Sequence, residues 1–201
     1  TSLVELNLLV MEKITGILLA GGRSSQMGSD KGLLDFRGRL LAEYPLALLQ
    51  KHCGTIIISS NNPEYGQFGY PVVADERMDC GPAGALATTL KQTNSNWNLV
   101  LACDLPYLND ELAALLLRQV AGEAKAIVPV HRKGMEPLAA LYHKDLQPVF
   151  GQALHEGVFA LHRILSQVPT LKVDAAQLLQ LQPRLFSNMN SPEELSGFTQ
   201  G

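Results

Sequence analysis

The stretch from Ile14 to Lys31, ITGILLAGGRSSQMGSDK, constrains the fold more than any other part of the chain. Its first seven residues form a nearly continuous apolar run, without the alternation of a half-exposed strand. A strand of that kind is buried on both faces and belongs to a parallel sheet with helices on each side. The run stops at Gly21-Gly22, and a polar loop follows with a third glycine, Gly28, and then Lys31. Glycine lets backbone N–H groups come close to a ligand. Such groups after a strand form an anion site, to which a lysine adds a point charge. The string is neither the G-x-x-x-x-G-K-[ST] phosphate loop nor the G-x-G-x-x-G dinucleotide fingerprint. On these residues alone it reads as a phosphate-binding loop or as a plain glycine turn.

The pattern repeats along the chain. Thr55 to Ser59, Pro71 to Ala74 and Trp97 to Ala102 read as further strands. Helical spacing covers 41–53, and Gly81-Pro82 opens a helix reaching Gln92, because proline suits the first helical position. Asn109 reads as an N-cap, with Asp110 and Glu111 favoured by the helix dipole, for a helix to Val120. Strands at 124–130 and 138–142, helices at 144–155 and 159–167, and an edge strand at 170–173 follow. Ser191-Pro192-Glu193-Glu194 is a capping box for a last short helix. Strand and helix alternating with short links mean a layered α/β sheet, mostly parallel. In such sheets ligands sit outside the carboxyl ends of the strands. Gly21, Gly22, Ser59 to Asn61, Asp75 and Asp104 all fall there.

Those residue types suggest chemistry. Asp104 ends a buried strand, as a cation ligand or as a turn residue satisfying its own backbone. Lys31 suits phosphate neutralisation, and Arg23 is a second cationic candidate. Asp75 has acceptor oxygens suited to the N1–H and exocyclic amine of guanine. Asn188 and Asn190 read as ligand-binding amides or as turn caps. His52, His131, His143, His155 and His162 form no ligand pair. No serine lies in a G-x-S-x-G elbow, and Cys103, in an apolar strand, reads as a buried, inert thiol.

With 201 residues and a net charge of −3, the chain suits one domain and carries no global basic footprint for nucleic acid. Three widely spaced cysteines, with no C-x-x-C, argue against a disulfide framework and favour a reducing cytosol. No apolar run approaches the roughly 20 residues of a membrane span. The start lacks signal-peptide features, so residues 1–10 read as a tag or upstream extension, Met11 as the functional start, and 11–201 as a single domain.

The string LAGGRSSQMGSDK resembles the L-A-G-G-x-S-x-R-M-G-x-D-K signature of the nucleotidyltransferase superfamily. More narrowly it is similar to the molybdenum cofactor guanylyltransferase family. Val72 to Glu76 (VVADE), Gly81 to Leu86 (GPAGAL), Ala102 to Leu108 (ACDLPYL) and Asn188 to Leu195 (NMNSPEEL) fit that family in order. The resemblance implies a Rossmann-like three-layer fold with a mostly parallel mixed sheet. It implies transfer of GMP from GTP to molybdenum-bound molybdopterin, with Mg²⁺ as cofactor and pyrophosphate as the other product. By position, Leu19, Ala20, Gly21 and Gly22 would line the GTP site, with Ser59 and Asn61 beside them. Lys31 would hold the phosphates, Asp75 would read guanine, and Asp104 would bind Mg²⁺. Asn188 and Asn190 would lie on the pterin side. The resemblance leaves room for partner proteins that deliver molybdopterin and apoenzymes that take the product.

Two departures stand out. Gln26 occupies the arginine position and lacks its charge and bidentate fork, which predicts slower turnover unless Arg23 compensates. The segment after Gly157 (GVFALHR) is thin in the basic residues usual on the pterin side. A molybdopterin cytidylyltransferase, which usually carries L-A-A-G, and a non-catalytic nucleotide-binding member remain the alternatives.

Overall fold

The computed structural model describes residues 14–21, 30–120 and 122–189. Met11 and the expected extension, Gly22, Arg23, Gln26, Gly28, Asn190 and the capping box at 191–194 lie outside the described residues.

The first strand, β1 (Ile14–Leu19), is buried along its whole length. It is followed by a small hairpin, β2 (Asp35–Phe36) and β3 (Arg39–Leu40), and by α1 (Glu43–His52). Next come β4 (Thr55–Ser59), β5 (Val72–Val73), α2 (Gly81–Gln92) and β6 (Trp97–Ala102). The second half holds α3 (Asp110–Leu117), β7 (Ala126–His131), β8 (Gly134–Met135) and β9 (Ala139–His143). It closes with α4 (Gln147–His155), α5 (Leu161–Leu165), β10 (Thr170–Asp174) and α6 (Ala176–Leu181).

The sheet runs β10-β7-β9-β6-β1-β4-β5, with β8 paired to β7. β1 lies parallel between β4 and β6, while β9 runs antiparallel to both β6 and β7. The sheet is therefore mixed but mostly parallel. From β1 the chain builds outward to β4 and β5, then returns to place β6 on the other side of β1. That reversal opens a crevice at the carboxyl ends of β1 and β6.

The period of two along β1 divides its side chains between two cores. Ile14, Leu18 and Ala20 pack with Leu46 and Leu49 of α1 and Leu112 and Leu116 of α3. Ile17 and Leu19 pack with Leu86 and Leu90 of α2 and Phe150 and Leu154 of α4. Helices on both faces explain the absence of polar alternation in the strand. Gly16 permits a close approach, since a methyl there would come within 3.0 Å of Leu49 Cδ2.

Several elements differ from the sequence expectation. Lys31–Leu33 form a 3-10 turn that no local pattern marked, because the Asp30 carboxylate accepts the Gly32 N–H. The helix capped by Asn109 ends at Leu117, short of Val120. A 3-10 segment at Pro63–Phe68, capped by Asn62, and the solvent-facing α6 carried no clear apolar period. No helix of the described residues is long and apolar enough to cross a membrane.

Candidate active site

A cleft of about 820 Å³ opens at the carboxyl edge of β1, β4, β5 and β6. Hydrogen bonds carry the ladder past the strand ends and hold the tips in line. Cys103 N–H donates to the Leu19 carbonyl at 2.9 Å, Ala20 N–H to the Ser59 carbonyl at 2.9 Å, and Ser60 N–H to the Val73 carbonyl at 3.0 Å. Ser60 Oγ donates to the Ala20 carbonyl at 3.0 Å and accepts the Asn62 N–H at 3.1 Å. The backbone of Leu19, Ala20 and Gly21 is thereby fixed along one wall.

Asp75 lies on the same edge, half-buried, beyond β5. Asn61 Oδ1 accepts its backbone N–H at 2.9 Å, and Ser59 Oγ lies 3.5 Å from its Oδ1. Burial pushes the Asp75 carboxyl above the ordinary carboxylate range, against the opposing pull of Ser59 and Asn61. Asn61 lines the cleft, whereas Ser59 is buried beneath it and touches Asp75 rather than the open space.

Lys31 and Asp104 face the cleft from the β1 and β6 sides. Burial raises the Asp104 carboxyl, and the Lys31 ammonium pulls it back down. Among the described residues, no three carboxylate, histidine or cysteine groups cluster as a metal cage. A single desolvated carboxylate suits Mg²⁺, which takes most of its ligands from substrate phosphates and water.

Beneath Lys31 lies a polar knot that sequence reading missed. Asp30 Oδ1 accepts from Tyr65 Oη at 2.6 Å and from Gly32 N–H at 3.2 Å, and its Oδ2 accepts from Asn62 Nδ2 at 3.2 Å. Tyr65 is fully buried, and the Gly32 α-carbon leaves space for its hydroxyl. Asp30 thus ties the turn bearing Lys31 to the loop after β4. The D-K-G string was a usable signal, but its tyrosine partner was not. Cys103 is buried beside this knot, and burial pushes its thiol pKa up to about 12, so it is inert at neutral pH.

Asn188 is exposed and does not line the cleft formed by the described residues. Its neighbour Met189 donates its N–H to the Asp104 carbonyl at 3.0 Å and packs on Phe36 and Leu41. The histidines remain scattered. His131 Nδ1 accepts the Lys133 N–H at 3.2 Å, so Nε2–H donates to Glu136 at 2.7 Å, and the ring stacks on Phe186. Apolar cleft residues were also missed: Met78 after β5, Leu138 before β9, and Phe159 between α4 and α5.

The family described as the MobA-like NTP transferase domain matches residues 16–171. A probable molybdenum cofactor guanylyltransferase of Halalkalibacterium halodurans is 30% identical over 192 residues, covering 92% of this chain and 96% of that protein. The molybdenum cofactor guanylyltransferase of Vibrio vulnificus is 31% identical, covering 92% and 94%. Among solved structures, molybdopterin-guanine dinucleotide biosynthesis protein A of Archaeoglobus fulgidus superposes with a TM-score of 0.75 at 18% identity, covering 91% of this chain and 95% of that one.

Proposed function

The chain belongs to the MobA-like NTP transferase family, and from that membership we propose that it transfers GMP from GTP to molybdenum-bound molybdopterin. The observation that carries this reading is the convergence of Lys31, Asp75 and Asp104 on one cleft at the switch point of the sheet. A terminal phosphate oxygen of molybdopterin attacks the α-phosphorus of GTP. The bond from that phosphorus to the bridging oxygen breaks, and pyrophosphate leaves with the electron pair. Little covalent work falls to the protein, so positioning and charge neutralisation carry the rate.

Lys31 binds the phosphates and offsets their charge as it shifts toward the leaving group. Asp75, its backbone held by Asn61, accepts from the N1–H and exocyclic amine of guanine. Leu19, Ala20 and Gly21 form the wall against which the nucleoside lies. Asp104 would hold Mg²⁺, which would supply further neutralisation of the triphosphate.

Pyrophosphate release measured with Mg²⁺, molybdopterin and each of GTP, CTP and ATP tests the assignment. Turnover with GTP alone is expected. A preference for CTP, or nucleotide binding without pyrophosphate release, would overturn it. Asp75→Asn is expected to erode the preference for GTP over ATP by about tenfold or more, and a preserved preference would remove Asp75 as base reader.

Gly21 gives a second check. A methyl there meets no atom of the described residues within 4 Å, and its backbone is outside the left-handed region. Gly21→Ala should therefore fold normally while raising the KM for GTP about ten- to a hundredfold, the range for one methyl group in a binding pocket. An unchanged KM with normal folding would show that the nucleoside does not use this wall.

A further inference from the structure

We infer that Phe159, together with Met78, is the platform on which the planar ring of the acceptor docks. This rests on the guanylyl-transfer reading and extends it to the acceptor half of the cleft. Among the described residues four large hydrophobic side chains stand exposed, and two of them, Met78 at 64% and Phe159 at 41%, line this one cleft. Exposed apolar surface gathered in a concave site marks ligand contact more often than chance. Leu138, Ala85 and Ala160 add to the apolar lining of the same cleft. Asp75 and Asp104 sit just past the ends of β5 and β6, and Lys31 on the 3-10 turn Lys31–Leu33.

The two side chains belong to different segments, and the fold holds those segments together. Gly157 turns the chain out of α4 with φ 72°, and Val158 N–H returns to the Ala153 carbonyl at 2.8 Å. Leu161, at the start of α5, is buried and anchors the other side of Phe159. Arg77, next to Met78, donates from its guanidinium to the Leu154 carbonyl at 2.9 Å. Asp79, on the other side of Met78, holds φ 61°, an uncommon value for a residue with a side chain. The loop after β5 is thus fastened to the end of α4, and the exposure of both side chains is built in.

The chemistry suited to such a wall is a flat conjugated heterocycle. An aromatic ring offers a stacking face, and a thioether makes favourable contacts with aromatic rings. A pterin meets that description, and so does guanine. Guanine is assigned to the Asp75 carboxylate, and Phe159 comes from a separate segment between α4 and α5, which leaves the pterin as the ring for this face.

Phe159→Trp makes the platform report on itself. The chain has a single tryptophan, Trp97, at the start of β6 and so at the end of the sheet away from the cleft. Molybdopterin is expected to quench the introduced indole in a saturable way without nucleotide present, and GTP alone is not. Quenching by GTP instead would assign the ring to the nucleotide base, and no quenching by either would remove Phe159 from the site. In steady state, Phe159→Ala should raise the KM for molybdopterin about tenfold, the upper range for an aromatic pair, and leave the KM for GTP within about twofold. Phe159→Tyr should restore it. An unchanged acceptor KM in the folded Phe159→Ala variant would overturn the inference. Saturable quenching of the Phe159→Trp variant by molybdopterin, with no pyrophosphate released by the wild-type protein, would instead count against guanylyl transfer and leave the platform standing.

Discussion

Asp104→Asn is expected to lose Mg²⁺-dependent GMP transfer by at least ~10²-fold while the metal-free protein becomes more resistant to unfolding. Both effects have one cause. Burial raises the Asp104 carboxyl, and Lys31 compensates only in part. A carboxyl with a raised folded-state pKa binds its proton more tightly in the native than in the unfolded chain. Native stability therefore falls as pH climbs from the ordinary carboxylate range through the raised value. Asparagine keeps the shape and removes the charge, so its stabilising effect is full above that window and vanishes below it. Thermal melts at pH 8 and at pH 3.5, without metal, read the difference directly. In the metal-free protein a proton competes with a cation for this carboxyl, so Mg²⁺ binding should weaken as pH falls. A variant with near-normal turnover would sink the metal role argued for Asp104, and one less stable than wild type at pH 8 would show that the native fold does not desolvate this charge.

The second large effect is at Gly32. An added methyl would strike Tyr65 Oη. Tyr65 cannot retreat, because its ring is fully buried against Phe68 and its hydroxyl is held at 2.6 Å by Asp30. Gly32→Ala should cost about 1–3 kcal/mol by overpacking, a fall in Tm of about 2–12 °C. Tyr65→Phe alone removes a hydrogen bond to a carboxylate, a loss of about 1.5–3 kcal/mol. In the double variant the methyl occupies the space left by the hydroxyl. Its destabilisation should therefore be smaller than the sum of the two single changes. Strict additivity of the Tm shifts would show that the two groups do not meet. Because Asp30 also fixes the turn bearing Lys31, Tyr65→Phe should lower kcat more than it raises the KM for GTP. A loss of stability with unchanged kinetics would reduce the knot to a purely structural role.

The legible part of this protein was carried by local patterns. Ile14 to Ala20, Thr55 to Ser59 and Trp97 to Ala102 are apolar on both faces, and that required a sheet covered on both sides. Gly81-Pro82 and Asn109 marked helix starts that the fold keeps. Of the strand ends named from the sequence, Gly21, Ser60, Asn61, Asp75 and Asp104 line one cleft, Ser59 sits beneath it and Gly22 lies outside the described residues; Asn188 does not join the described lining. The direction of β9 was not legible, because an apolar run of five residues carries no sign of the strand it will pair with.

Residue order alone was enough to specify the layered α/β sheet and the edge on which ligands gather, since strand burial and glycine turns depend on neighbouring residues. Which side chains face one another across that edge was set only by the packed fold. Asp30 and Tyr65 are 35 positions apart, and Met78 shares its cleft with Phe159 although they come from segments on either side of α2 and α4. Such meetings depend on how remote helices and loops pack on the sheet, and no local period along the chain records them.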